Sequence, residues 1–480
     1  MLRHGRPVAQ PVEGRPDVAT YQPAPGMVAR VDGGDAYSFA LAGLLISMGT
    51  LADRVGRRRL LLIGVAGFGA ASLLAAFAAS AGWLIAARVL LGVAGATLMP
   101  STLSIVRNIF TDARQRTRAI AVWSAGASGG AALGPLVGGA LLEHYWWGSV
   151  FVINVPIMLL VLIGVAALVP ESRDPRPGRF DLLSALLSVV AIVALVWAVK
   201  HTAKAGVDPV GVGAAVAGLV GGVLFVRRQR RLSAPLVDVS LFARPVFTGT
   251  VVASLIAIFA FSGLLFFFSQ YLQLVRGYSP LEAGLRELPL TLASIAVVAI
   301  AAAVLARLGV GRALAVALLT AGAGMAVLTV GEGYAGYAPL ALGLVVIGLG
   351  VGLAFTAAND AVLGAVPKDR AGSASAISEM AYELGVALGI ALLGTLHTVL
   401  YRSALPDLST LPGPSRDAVH ESLATAGRAL AGDGQQGAQV LAAAREAFVH
   451  AMQTTSLIAA VLLVAAGVIA WKLVPSPRRP

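Results

Sequence analysis

Apolar residues in this chain come in long unbroken runs, and charged residues come in short bursts between them. The runs fall at residues 36–52, 60–81, 83–106, 119–142, 148–169, 180–199, 209–226, 247–274, 283–306, 313–330, 337–366, 372–400 and 455–474. A helix needs about 17–25 apolar residues to cross a bilayer. Backbone polar groups in lipid must be satisfied within the segment, and the lack of two-residue alternation argues for helices rather than a barrel. The pattern predicts an all-α polytopic membrane protein with thirteen spans.

Basic residues test that reading, because they collect on the connections that stay in the cytoplasm. Arg54, Arg57, Arg58 and Arg59 follow the first run; Arg107, Arg114, Arg116 and Arg118 follow the third; Arg173, Arg176 and Arg179 follow the fifth; Arg227, Arg228, Arg230 and Arg231 follow the seventh. Arg307 and Arg312, then Lys368 and Arg370, then Lys472, Arg478 and Arg479 continue the series. The intervening connections, "LEHYWWG", "VRGYSPLEAG" and "GEGYAGYAP", carry few cations and are expected outside. This puts the C-terminus in the cytoplasm. With an odd number of spans, residues 1–35 would then be exported, although residues 1–30 contain no apolar signal segment.

Composition narrows the function. Hydrophobic residues make up 57% of the chain and charged ones 12%, with a mean hydropathy of +0.82. The net charge of +12 resides in short loops, where it sets orientation, so nucleic-acid binding is not expected. There is no cysteine, which removes disulfides, thiol catalysis and thiolate metal sites. None of the four lysines, Lys200, Lys204, Lys368 and Lys472, precedes Ser or Thr, so there is no phosphate-cradling loop. The six histidines show no metal-ligand spacing. No enzymatic activity, cofactor or metal is expected.

The chain also resembles itself at an offset of roughly 254 residues, the mark of parallel repeats. "LADRVGRRRLLL" matches "LARLGVGRALAV", "LLGVAGATLMPS" matches "VIGLGVGLAFTA", and "RAIAVWSAGASGGAALG" matches "RAGSASAISEMAYELGVALG". Two six-helix units follow, with runs 180–199 and 209–226 as extra helices between them. The second unit begins with run 247–274, and its counterpart falls at about residue 20 or earlier, where "MLRHGRPVAQPVEGRPDVAT" is too charged and proline-rich to span. The expected division is a polar tail at 1–35, an N-terminal unit at 36–169 lacking its first helix, the extra helices and linkers at 170–246, and a C-terminal unit at 247–480. The full design would have fourteen helices, of which thirteen are visible.

Acids inside spans are the leading site candidates. Glu379 and Glu383 are four residues apart and share a helix face. Glu383 lies about 16 Å along its run, near mid-bilayer, where a charged carboxylate is costly and a proton carrier is well placed. Asp360 lies about 9 Å from the cytoplasmic end of its span. These acids could equally be neutral packing groups or be paired with a buried arginine. Arg88, about 9 Å inside its span, could pair with a cavity acid or extend its head to the interface. Gly126, Gly130, Gly134 and Gly138 form a stripe with Pro135 beside it, suited to close helix packing and to a bend at a rocking interface.

At these residues the chain resembles the major facilitator superfamily, and within it the fourteen-spanner drug:proton antiporters that include quaternary-ammonium multidrug pumps. "GTLADRVGRRR" (49–59) is similar to the family's loop signature, "LIAARVLLGVAGA" (84–96) to its arginine-bearing signature, and "GAALGPLVGG" (130–139) to its antiporter signature. "FVINVP" (151–156), "SQYLQLVRGYSPLEAGL" (269–285) and "RAGSASAISEMAYELGVALGIALLG" (370–394) are typical of the same branch. The resemblance implies that Asp53 with Arg54, Arg57 and Arg58 locks the cytoplasmic side, with Gly134 and Pro135 in the gating helix. It implies proton coupling at Arg88. "DAYSF" (35–39) resembles the start of the family's second helix, where relatives with cationic substrates often carry an acid, here Asp35.

These readings converge on proton-coupled efflux of small lipophilic, cationic drugs across the cytoplasmic membrane by a monomer, with Asp35, Arg88, Asp360, Glu379 and Glu383 in coupling and binding. The alternatives are a dedicated exporter of an endogenous metabolite or antibiotic, and a transport-inactive remnant.

Overall fold

A computed structural model describes residues 33–173, 181–232, 235–366, 371–409, 411–430 and 434–474, and contains no strand among them. The expected polar tail, apart from the start of the first helix, lies outside the described residues. Each of the thirteen apolar runs falls on a helix. In chain order these are α1 (Gly33–Val55), α2 (Arg57–Ala76), α3 (Ala81–Ile109), α4 (Ala113–His144), α5 (Ser149–Leu168), α6 (Leu182–Ala205) and α7 (Pro209–Gln229). Next come α8 (Pro245–Val275), α9 (Pro280–Ala296 with Val298–Leu308), α10 (Val310–Glu332), α11 (Ala338–Gly364), α12 (Ala371–Leu388, extended to Ser403) and α13 (Gly434–Leu473). Eleven helices among the described residues are long and apolar enough to cross a membrane, or twelve if the two parts of α9, bent by 48°, count as one span.

Short polar residues start these helices where the apolar pattern begins. The side chains of Ser80, Asp112, Asp181 and Asp208 each accept a backbone N–H from the first turn of α3, α4, α6 and α7. Ser279 and Glu282 form a reciprocal capping box at α9. The structure departs from the apolar pattern in α13, which starts at Gly434, well before the run at 455. Its alanine- and glutamine-rich first half favours helix, and Phe448 and Met452 are buried against the rest of the bundle.

Packing brings distant parts of the chain together. α3 packs on α1 and α2, α6 on α7, and α10 on α11 and α13. α12 lies against α1 and α3 on one side and α8 on the other, while α4 packs on α9 and α11. α6 leans on α1, so the α6–α7 hairpin touches the same helix that α3 and α12 pack against. No residue of Asn154–Leu168 in α5 is buried, as suits a helix apolar all round at the rim of the bundle. π-helical turns interrupt α8 at Tyr271–Val275 and α12 at Gly389–Leu393.

Candidate functional site

At the end of the bundle that carries the arginine-rich turns, buried charged side chains tie helices together. Gly56, between α1 and α2, has φ +122, which favours glycine. On either side of it, Arg57 donates to Asp53 Oδ1 at 2.9 Å from Nε and 2.6 Å from Nη2, with the arginine only 1% exposed. The second oxygen, Asp53 Oδ2, accepts the backbone N–H of Ser373 in α12 at 3.1 Å. The hydroxyls of Thr50 and Ser373 both donate to the Leu236 carbonyl at 3.0 Å. One acid thereby joins α1 to α12. Arg54 is half-buried in the last turn of α1, where a cation meets the negative end of the helix dipole. The backbone N–H groups of Arg58 and Arg59 donate to the Glu171 carboxylate at 3.1 and 3.2 Å.

A second clasp joins α11 to α3 and α4. Arg116 Nε donates to Asp360 Oδ1 at 3.1 Å, both side chains being buried. Arg107 donates to the carbonyls of Leu363 and Val366 at 3.1 and 3.3 Å. The Ser378 hydroxyl of α12 donates to Asn359 Oδ1 at 3.0 Å. Proton coupling, neutral packing and pairing with a buried arginine are all open to Asp360 in the sequence; the structure puts it in a buried pair with Arg116 at this end of the bundle, apart from Glu379 and Glu383.

Two cavities flank α12 deeper in the bundle. One, of about 660 Å³, is lined by Ser38 and Ala42 of α1, Val196 and Lys200 of α6, and Glu383 and Val386 of α12. The other, of about 870 Å³, includes Phe261, Glu287, Thr291, Phe355 and Tyr382 in its walls. Tyr382 and Glu383 are adjacent residues, so the 100° step of the helix turns one into each cavity. Phe355 lies edge-on to Tyr382 with centroids 5.8 Å apart and stacks on Trp123 of α4 at 5.7 Å. Glu287 Oε1 is buried among these walls with no hydrogen-bond partner. Glu379, 5% exposed, sits one turn before Glu383, and among the described residues neither forms an ion pair.

The remaining candidates separate. The Arg88 guanidinium lies over the Phe151 ring at 5.4 Å, and no described carboxylate is within ion-pair distance, so its partner is aromatic. Asp35 lies in the first turn of α1 and Pro135 within α4, but their side chains are outside the described ones. Gly134 shares α4 with Gly126, Gly130 and Gly138, and a methyl added to any of the four would meet no described atom within 4 Å. The expected tight seam therefore does not occur there. It occurs in α11, where a methyl on Gly350 would lie 2.5 Å from the Ala321 nitrogen of α10.

Three residues escaped the sequence reading. Arg116 looked like one loop arginine among several, and its partner is 244 positions away. Glu287 stands near the start of its span, in "LRELPL", and resembles an interfacial charge. Lys200 falls one residue beyond the predicted end of its run; the available signal was a lysine in a chain whose basic residues are nearly all arginine.

Comparison with known proteins agrees with this architecture. Residues 33–390 match the family model of the Major Facilitator Superfamily. Relatives include the multidrug efflux pump LfrA of Mycolicibacterium smegmatis, 46% identical over 91% of this chain and 86% of that protein. The methyl viologen resistance protein SmvA of Salmonella typhimurium is 37% identical, covering 90% of this chain and 88% of its own length. The tetracenomycin C resistance and export protein of Streptomyces glaucescens is 34% identical over 82% and 74% of the two chains. In fold, the chain is similar to the human organic anion transporter MFSD10, with TM-score 0.58, 17% identity and coverage of 90% and 82% of the two chains. It is also similar to the proton:xylose symporter XylE, with TM-score 0.56, 12% identity and coverage of 92% and 85%. This is a multi-pass membrane protein of a family of transporters rather than enzymes, and it belongs to the major facilitator superfamily.

Proposed function

We propose that this chain exports lipophilic, cationic drugs in exchange for protons, by alternating access across the cytoplasmic membrane. The observation that carries this reading is the contrast in how the acids are held. Asp53 and Asp360 are fixed by arginines, whereas Glu383 and Glu287 line cavities, Glu379 lies one turn before Glu383, and all three are, among the described residues, outside any ion pair. An unpaired carboxyl in an apolar wall is stable either protonated or with a cation bound, so proton and drug compete for it. Aromatic faces such as Phe355 and Tyr382 would hold a flat organic cation by stacking and cation–π attraction. The relatives support the same substrate class, since one is named for resistance to methyl viologen, an organic dication, and another as a multidrug efflux pump.

The positive-inside pattern supports a cytoplasmic position for the basic end, and the cycle requires that the cavities be reached from the other side. Protons entering from outside would load the carboxyls and release the drug; opening of the clasps would then expose them inward. Each net charge moving down 100 mV supplies about 2.3 kcal/mol, equivalent to roughly a fiftyfold gradient of a neutral drug. A dedicated antibiotic exporter is the second reading, favoured by the tetracenomycin C relative. Inside-out vesicles separate them. Proton-driven uptake of ethidium, tetraphenylphosphonium and methyl viologen supports the multidrug reading, and uptake confined to a single compound supports the other. If a proton gradient drives uptake of none of these cations, cationic multidrug export is ruled out.

A further inference from the structure

Beside the 870 Å³ cavity lies a further space that the exchange of drug for proton leaves unused. It measures about 410 Å³ and sits between α8, α10, α11 and α13. Leu314, Leu318 and Ala321 of α10 and Leu463 of α13 line its far side, and Ser254 is the only described polar residue in its lining. Ile258, Phe261, Val351 and Phe355 line both spaces, so the two are neighbours with these side chains between them. A buried water needs about two to four polar partners, and this annex offers one side-chain hydroxyl. An apolar guest suits it better, because it restores the dispersion contacts that an unfilled lining forfeits.

The larger cavity supplies the opposite chemistry. Glu287 of α9 lines it, and its carboxyl accepts a hydrogen bond from the Ser269 hydroxyl, which itself accepts from Gln273 at 3.3 Å. Glu287 Oε1 is buried and has no partner among the described residues. The wall between the two spaces is braced from α4, since Phe355 stacks on Trp123, whose Nε1 donates to Thr102 at 3.3 Å. A carboxyl on one side of an aromatic wall and a dry apolar annex on the other match a molecule with a positive head and an apolar tail.

We propose that the 410 Å³ annex is a tail subsite: the head of a single-tailed amphiphilic cation rests near Glu287 and Phe355, and its alkyl chain reaches past the shared side chains into the annex. The annex then acts as a ruler. Each methylene buried there tightens binding by about fourfold until the space is full, and longer tails gain nothing further. This inference rests on the cation-export reading above, and the dependence of binding on tail length separates the two. Competition of N-alkylpyridinium ions, from ethyl to dodecyl, against tritiated tetraphenylphosphonium is measured on the full chain in lipid nanodiscs. Comparing proteins at one tail length cancels partitioning into the lipid. Ala321→Leu, which adds bulk from α10, and Ala257→Leu, which adds it from α8, should leave the ethyl ion within about twofold and weaken the dodecyl ion about tenfold or more. Leu318→Ala enlarges the annex and should strengthen binding of the longest tails several-fold. If the filled variants bind tetraphenylphosphonium and keep the wild-type dependence on tail length, the subsite is overturned while the exporter reading stands. Where a filled variant binds nothing, Leu318→Ala decides, and an unaltered length profile in it overturns the subsite. If the wild type binds neither tetraphenylphosphonium nor any alkylpyridinium, the exporter reading falls and the subsite with it.

Discussion

The basic end of the bundle and its midsection use carboxyl groups in opposite ways. At the end, Asp53 meets Arg57 and a backbone N–H, Glu171 accepts three backbone N–H groups, and Asp360 meets Arg116. Among the described residues of the midsection, Glu379 and Glu383 make no ion pair and Glu287 Oε1 has no donor. A paired buried acid is a fixed charge, and removing its partner costs about 3–5 kcal/mol. An unpaired acid in an apolar wall can exchange ligands, because each alternative partner improves on none. On the proposed reading, the same residue type makes a lock in one region and a carrier in the other, and neighbouring arginines decide which.

That contrast can be broken first at the lock. Asp360→Asn or Arg116→Ala leaves one buried group without its counter-charge, so both should open the basic end. The chain has no cysteine, so a single cysteine placed at Ser378 reports cleanly. Its labelling by a membrane-impermeant maleimide from the basic side should speed up by about tenfold or more in either variant. Unchanged labelling would show that the pair does not hold the gate.

The carrier region is tested by a smaller effect. Phe355→Ala removes a ring that faces Tyr382 and supports Trp123, and should weaken binding of flat aromatic cations about tenfold. Glu287→Gln should weaken the same ligands by a similar factor without affecting the gate. Equal loss for a neutral, non-aromatic compound would assign these residues to general packing. The smallest effect is one of stability. Gly350→Ala forces a methyl against the α10 backbone and should lower the Tm by several degrees, whereas Gly130→Ala, with open space beside it, should leave it within about 1 °C. A reversed order would mean that the α4 seam, rather than the α11 seam, is the tight one.

Much of the fold was legible in the sequence because lipid imposes a simple rule: apolar runs become helices and arginines collect at one end. Asp53 and the neighbouring arginines were singled out by the loop's resemblance to the family signature, and the structure pairs Asp53 with Arg57. What the sequence concealed depends on packing between distant helices. Nothing near Asp360 in the chain points to Arg116, and regular glycine spacing in α4 says nothing about whether a neighbour actually fills the groove. Glu287 and Lys200 stand close to the ends of apolar runs, where a charge is ordinarily solvated. Only the bend of α9 and the lean of α6 on α1 bring them to cavities.

On the proposed mechanism, drug and proton compete for the carboxyls of Glu379, Glu383 and Glu287. The most direct measurement is proton release from the purified protein, in weakly buffered detergent solution near neutral pH, on addition of tetraphenylphosphonium. The wild type should release protons in proportion to bound cation, and Glu383→Gln should release far fewer or none. Equal release from both proteins, or cation binding by the wild type without any release, would contradict it.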